Sequence, residues 1–216
     1  QVGVERFIHT GTAYEHGYGA GYAPNGGAGR EDTDPLAIYT ASKAAASELV
    51  LRYARAYAVP AVILRLFAVY GPGQSLRSLV PAAINAALTG QDFPMTPGEQ
   101  RRDFIFVGDV VEGYVRAAAA NVARGACFDV GTGSTWPVRA VVERVFQLAG
   151  TQARPLVGAL SYRTGETMLQ AADPRPAREA LGWQAVTVLD DGLRQTLEWY
   201  RHSLSAIDYQ PSAHYA

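Results

Sequence analysis

A tyrosine and a lysine stand four residues apart in the segment Tyr39-Thr40-Ala41-Ser42-Lys43. Of the 19 lysines and arginines in the chain, only Lys43 is a lysine. Residues at i and i+4 share one face of a helix, so the ammonium is expected beside the tyrosine. A free phenol keeps its proton up to about pH 10, and a compact ammonium nearby favours the phenolate. The pair therefore indicates proton transfer at Tyr39, with a chance surface pair as the alternative.

Hydroxyl groups precede this pair, at the end of a short apolar run. Thr10-Gly11-Thr12 closes the run, and Tyr39 and Lys43 lie on the next predicted helix. In an open parallel sheet, ligands bind outside the carboxyl ends of the strands. A hydroxyl there, with a Tyr/Lys pair, suits redox chemistry at an alcohol carbon, where the tyrosine exchanges a proton with the oxygen as hydride leaves. The alternative for Thr10 and Thr12 is a structural role at the sheet rim.

Composition narrows the class of protein. The 216 residues are 48% hydrophobic and 18% charged, which is ordinary for a globular protein. The net charge of −1 gives no electrostatic case for binding nucleic acid or an anionic membrane. We find no apolar run of 18 residues, so the sequence predicts no membrane span. The single cysteine, Cys127, excludes an internal disulfide and predicts a cytoplasmic protein.

Strand and helix patterns alternate through residue 149, which predicts an α/β fold with a parallel sheet. The predicted strands are 4–10, 61–67, 103–107 and 126–130. The predicted helices are 36–57, 79–88, 109–122, 138–149, 174–181 and 189–204. A glycine-rich loop at 15–34 ends at Asp34-Pro35, a typical helix start. Asp109 is expected to cap the helix that follows it, and Asp103 to have a structural role.

Several further motifs carry a resemblance to a known family. In chain order they are LRLFAVYGPGQ at 64–74, RRDFIFVGDVV at 101–111, FDVGTG at 128–133, YRTGE at 162–166 and LGW at 181–183. Together with Thr10-Gly11-Thr12 and Tyr39-x-x-x-Lys43, they run through nearly the whole chain. The sequence resembles the extended short-chain dehydrogenases/reductases, and within them the NAD-dependent nucleotide-sugar epimerase/dehydratase group.

The resemblance implies a fold and a division of the chain. Residues 1–150 would form the second half of a Rossmann-like parallel sheet, incomplete and interleaved with segments of a substrate lobe. Residues 151–207 would form a small C-terminal α/β substrate lobe, and 208–216 a loose tail. The glycine-rich fingerprint and first mononucleotide half that hold NAD(P) in the family are absent from the sequence. The start at Gln1, just before an apolar segment, indicates a truncated product.

The resemblance also implies roles for single residues. Thr12 would hydrogen-bond the reacting sugar oxygen, Tyr39 would be the acid/base, and Lys43 would stabilise the phenolate and bind the nicotinamide ribose. The residues implied for binding NAD or NADP are Thr10, Gly11, Tyr39, Lys43, Phe67 and Val69. The residues implied for binding a nucleotide-diphosphate sugar are Thr12, Leu79, Arg102, Arg163 and Glu166. Both arginines could instead be solvated loop charges.

Departures from the family pattern narrow the reaction. The family's 4,6-dehydratases carry Asp-Glu after the catalytic threonine and its decarboxylases Ser-Glu, whereas this chain has Ala13-Tyr14. Ala68 stands where the family often has a substrate-contacting asparagine. We therefore expect a 4-epimerase or 4-ketoreductase that transfers hydride at the sugar C4. The alternative is a non-catalytic sugar-nucleotide-binding or structural fragment.

Two further expectations concern partners and metals. Family members often form homodimers through the active-site helix, and the alanines at 44–46 are compatible with a homodimer here. His9 and His16 lack metal-ligand spacing, so no metal site is predicted.

Overall fold

The computed structural model describes residues 3–16, 35–163 and 165–206. Its strands are β1 Phe7–Thr12, β2 Ala61–Leu66, β3 Ala68–Tyr70, β4 Phe93–Met95, β5 Arg101–Arg102, β6 Phe104–Phe106, β7 Ala126–Val130, β8 Trp136–Pro137, β9 Pro155–Val157 and β10 Leu169–Gln170. Its helices are α1 Pro35–Ala56, α2 Leu79–Leu88, α3 Val107–Ala119, α4 Val138–Ala149, α5 Arg175–Leu181 and α6 Leu189–Ala206, with a short 3-10 turn at Ala13–His16. Asp34, most of the glycine-rich loop and the tail 208–216 lie outside the described residues.

A parallel sheet in the order β1-β2-β7 forms the centre of the fold. The first four residues of β2, Ala61 to Leu64, are completely buried between the layers. The predicted first strand begins later than expected, at Phe7, where its N–H bonds to the Pro60 carbonyl. Proline has no N–H to extend the ladder, so pairing starts at Phe7 opposite Ala61. At its other end β1 continues to Thr12, which pairs with Leu66, so the whole Thr10-Gly11-Thr12 motif lies in the strand.

The predicted strand 103–107 is shorter in the structure, because β6 begins after the buried Asp103 and helix α3 begins at Val107. Asp103 separates β5 from β6 and accepts hydrogen bonds from the Thr132 N–H at 2.8 Å, the Thr132 hydroxyl at 2.7 Å and the Gly133 N–H at 2.8 Å. Gly131 allows this approach, because a Cβ there would stand 2.8 Å from the Asp103 carboxylate. Asp103 thus has a structural role, as expected: its carboxylate joins the start of β6 to the turn after β7.

The prediction that Asp109 caps a helix is wrong. Helix α3 begins at Val107, so Asp109 lies within its first turn. Its carboxylate accepts hydrogen bonds from the main-chain N–H groups of Val186, at 3.3 Å, and Thr187, at 3.0 Å. Its main-chain carbonyl accepts the indole N–H of Trp183 at 2.9 Å. Asp109 therefore fastens the segment after α5 onto α3.

Two hydrophobic clusters hold the layers together. One lies between the central sheet, α3 and α5, and includes Val62, Ile105 and Trp183. The other joins α2, α4 and α6 through residues such as Ile84 and Leu193. The small sheets β10-β5-β8 and β3-β6 carry several of the side chains that line the cavity described below. No helix within the described part of the chain is long and apolar enough to cross a membrane.

Candidate active site

Lys43 is tied to the end of the first strand. Its ammonium donates a hydrogen bond to the main-chain carbonyl of Thr10 at 2.9 Å. Tyr39 lies one turn earlier on α1 and is 43% exposed. The geometry disfavours a chance surface pair, since the ammonium is directed at the strand end instead of into solvent.

The hydroxyls of the strand end face different partners. Thr12 is buried and lines a cavity. The Thr10 hydroxyl shares a hydrogen bond with the Tyr114 hydroxyl of α3 at 2.5 Å, which leaves its carbonyl to Lys43. Gly11 is buried between them, and a Cβ there would stand 2.7 Å from Glu15 Oε1. Of these three residues, Thr12 is the one that lines the cavity.

Glu15 is a residue of the site that the sequence did not reveal. Its carboxylate accepts the Thr12 main-chain N–H at 2.9 Å and pairs with Arg65 of β2 at 3.2 Å, with the Glu15 side chain only 2% exposed. These bonds fix the turn that follows Thr12. The Thr-x-x-Glu spacing of Thr12 and Glu15 is the signal that could have found it, because the glutamate of a capping box accepts the main-chain N–H of the threonine.

A cavity of about 450 Å³ opens beside Thr12, within the size range of small-molecule sites. The predicted site residues that line it are Thr12, Phe67, Val69, Leu79, Arg102, Arg163 and Glu166. Tyr14 also lines it, and the Tyr14 ring meets the Tyr39 ring edge to face with centroids 6.3 Å apart. Tyr39 and Lys43 do not themselves line this cavity, and Tyr14 is the lining residue whose ring Tyr39 contacts.

A charged cluster forms one wall of the cavity. Arg102 donates to Glu166 at 2.5 Å, and both side chains are almost buried, at 11% and 12% exposure. Arg163 approaches the other oxygen of Glu166 at 3.5 Å, and its side chain is 74% exposed. Burial lowers the pKa of Arg102, and the neighbouring Glu166 carboxylate opposes that shift. Two guanidinium groups against one carboxylate leave a net positive wall suited to a diphosphate.

The family model that matches this chain is the NAD dependent epimerase/dehydratase family, over residues 1–131. The chain belongs to this family. The family's dTDP-glucose 4,6-dehydratase from Haemophilus influenzae is 30% identical over 184 residues, covering 80% of this chain and 54% of that protein.

Solved structures of the family share the fold. The UDP-glucose 4-epimerase of Thermotoga maritima, crystallised with UDP-glucose, superposes with a TM-score of 0.78 at 27% identity, covering 94% of this chain and 65% of that one. MoeE5 in complex with UDP-glucuronic acid and NAD gives 0.78 at 34% identity, covering 94% and 67%. The predicted Rossmann-like α/β class is confirmed. The chain corresponds to about two thirds of each of these two solved structures.

The residues present fit one end of a nicotinamide dinucleotide. Thr12 ends β1, the Lys43 ammonium binds the Thr10 carbonyl there, and Phe67 follows β2 at the same edge of the sheet. Phe67 and Val69 line the cavity next to them. This is the edge at which parallel sheets bind cofactors. The predicted cofactor class, NAD or NADP, agrees with the family, which is NAD dependent.

Proposed function

We propose that the chain is the catalytic and substrate-binding part of an NAD-dependent nucleotide-sugar 4-epimerase or 4-ketoreductase. The observation that carries the proposal is the hydrogen bond from Lys43 to the Thr10 carbonyl, which holds the Tyr/Lys helix against the strand end bearing Thr12. The cavity with Arg102 and Glu166 begins at this point.

Each side chain of the strand end has a task in this reaction. Thr12 hydrogen-bonds the 4-oxygen of the sugar and holds it towards α1. Tyr39 takes the proton of the 4-hydroxyl when the alcohol is oxidised, and returns it when the ketone is reduced. Lys43 stabilises the phenolate that forms in between. When bound, NAD supplies a reversible hydride acceptor for C4. A ketoreductase performs only the reduction, whereas an epimerase performs both halves on opposite faces of the sugar.

The charged wall holds the rest of the substrate. Arg102 and Arg163 bind the diphosphate, and Glu166 orients both guanidinium groups and accepts ribose hydroxyls. Charge-assisted hydrogen bonds contribute roughly 1.5–3 kcal/mol each, so we expect Arg102→Met to weaken binding of a nucleotide sugar by roughly 10- to 150-fold.

Dehydration is disfavoured although the Haemophilus relative is a 4,6-dehydratase. That reaction needs an acid and a base beside the sugar, which the resemblance places directly after the catalytic threonine. Here Ala13 is apolar and buried, and Tyr14 lines the cavity with a phenol. The nearest following carboxylate, Glu15, already accepts the Thr12 N–H and pairs with Arg65.

The alternative function is sugar-nucleotide binding without catalysis. One observation favours it: β1 is an edge of its sheet among the described residues. Next to that edge, Phe7, Leu49, Val50, Tyr53 and Val59 line an apolar groove of about 260 Å³. A strand edge and apolar surface of this kind normally require a covering element.

Titration of the purified chain separates the two functions. The ligands are NAD, NADP and a panel of UDP-, dTDP-, GDP- and CDP-sugars, measured by calorimetry. Binding of both a dinucleotide and a nucleotide sugar, followed by formation of the 4-epimer or loss of the 4-ketone in NMR spectra, supports the enzyme. Binding of the nucleotide sugar alone supports the binding fragment, and binding of neither overturns both.

A further inference from the structure

Two buried glutamines lie on the same wall of the cavity as Arg102. Gln100 is 8% exposed and Gln170 is 4% exposed, and both line the cavity. Gln170 pairs with Arg102 across the parallel strands β10 and β5. Gln100 lies two residues before Arg102. Paired residues on neighbouring strands point to the same side, and Gln100, just before β5, lines the same cavity as Arg102 and Gln170.

One end of each amide has no hydrogen-bond partner among the described residues. The unpaired atoms are Gln100 Oε1 and Gln170 Nε2. The other end of Gln100 approaches the Thr96 hydroxyl at 3.4 Å, the long limit of a hydrogen bond. Buried amides are normally satisfied. Two unsatisfied amides on one cavity wall therefore indicate a ligand that completes their hydrogen bonds.

The main chain fixes where these amides stand. The Gln100 carbonyl accepts the Val138 N–H at the start of α4 at 2.9 Å, and the Gln170 carbonyl accepts the Asp103 N–H at 3.1 Å. Because both backbones are held, the side chains are limited to rotations within the cavity wall. Such preorganisation is typical of residues that select a ligand.

The order of residues along the cavity wall indicates which part of a bound ligand lies next to Gln100. Thr12 pairs with Leu66, and Ala68, just beyond Leu66, pairs with Phe104. From Phe104 the chain runs back through Arg102 to Gln100, so Gln100 lies on the side of Arg102 away from Thr12. A nucleotide sugar is linear, with the sugar at Thr12 and the diphosphate at Arg102. The part that reaches Gln100 is the nucleoside.

We propose that Gln100 and Gln170 form the nucleoside-recognition element of this chain, in which the Gln170 amide, level with Arg102, binds the ribose next to the diphosphate and the Gln100 amide binds the base beyond it. The inference rests on the proposed function, since it takes a nucleoside diphosphate as the ligand. Amides offer a donor and an acceptor without charge, as the uncharged polar edges of a base and ribose require.

Binding of UDP and of inorganic pyrophosphate to Gln100→Met and Gln170→Met variants tests this proposal. Methionine keeps the unbranched shape and removes the polar atoms. We expect the Kd for UDP to rise roughly 5- to 50-fold, and the Kd for pyrophosphate to change by less than about twofold. Arg102→Met is expected to weaken both ligands. Gln195→Met, at an exposed glutamine of α6, is the matched control.

Stability measured without ligand separates recognition from a structural role. If the amides serve the ligand, the methionine variants unfold at the same temperature as the unchanged protein or higher, because an unsatisfied buried amide has been removed. Lower unfolding temperatures with an unchanged Kd for UDP would overturn the inference, as would equal losses for UDP and pyrophosphate. If the unchanged protein bound no UDP and no nucleotide sugar, the proposed function itself would fail.

Discussion

Lys43 connects its helix to the end of the first strand. Its spacing from Tyr39 predicts a shared helix face, and the structure adds the bond from its ammonium to the Thr10 carbonyl. A strand end is a fixed point of the fold, so this bond sets the position of the whole helix face. The chain's only lysine therefore serves as an anchor as well as a charge.

His9, also on β1, makes the stability of the fold depend on pH. Burial lowers its pKa, and the Lys43 charge lowers it further, while the Glu15 carboxylate opposes both. The unfolded chain then takes up a proton at this histidine near pH 6.5, at a pH where the folded chain does not. We expect the free energy of unfolding to fall as the pH drops below about 6.5.

Urea unfolding at pH 7.5 and pH 5.5 measures this effect. The unchanged protein is expected to lose more stability between the two values than His9→Gln does, because glutamine cannot be protonated. Taking the difference between the two proteins cancels the other histidines. An equal loss in both would show that His9 does not couple protonation to folding.

The site residues differ in how far the sequence could predict them. Thr12, Arg102 and Glu166 were expected from motifs, and the structure brings them to one cavity. Glu15 was missed although its spacing from Thr12 is a local signal, whereas Gln100 and Gln170 were missed because their roles depend on how separate segments pack around the cavity. Gln170, for example, reaches the cavity only because β10 pairs with β5. No local pattern records such a pairing.

At the level of elements, Asp103 joins parts that are far apart in the chain. Besides its bonds to Thr132 and Gly133, its carboxylate lies 3.3 Å from the Ala172 N–H. The sequence predicted a strand from Asp103 to Val107, since FIFV is aromatic or β-branched, and the structure keeps Phe104–Phe106 as β6. The bonds of Asp103 could not be predicted, because their donors lie in segments about 30 and 70 residues later.

We expect Asp103→Asn to destabilise the fold by about 1–3 kcal/mol, since an amide N–H₂ would face main-chain N–H donors. Guanidinium chloride unfolding measures the change. The control is Glu112→Gln, which weakens an exposed ion pair with Arg116 at 2.6 Å and should cost less than about 0.5 kcal/mol. Equal effects of the two substitutions would show that the Asp103 carboxylate does not hold these segments together.

At the level of the whole molecule, the described residues leave an apolar face exposed. The groove lined by Phe7, Leu49, Val50, Tyr53 and Val59 follows the β1 edge and the outer side of α1. Leu49 is 56% exposed and Tyr53 is 51% exposed. A face like this associates with another surface in water. We propose that this chain, when pure, forms a homodimer through it.

Replacing Leu49 with arginine tests that association. A charge in the groove is costly to bury, so Leu49→Arg is expected to weaken self-association at least tenfold in sedimentation equilibrium. Val186→Arg changes an even more exposed apolar residue, at 75% exposure, outside this face. A monomeric unchanged protein, or equal weakening by both variants, would contradict the proposed dimer.

The central claim is that Tyr39 handles the proton at the sugar C4. It is tested most directly by the turnover of Tyr39→Phe, assayed by NMR with NAD and a nucleotide sugar in the longest form of the protein that its gene encodes. General acid–base groups contribute roughly 10²–10⁴-fold, so kcat should fall at least about 100-fold while the Kd for UDP stays unchanged. Tyr57→Phe, at a tyrosine 71% exposed, should retain full turnover. Normal turnover by Tyr39→Phe would contradict the account.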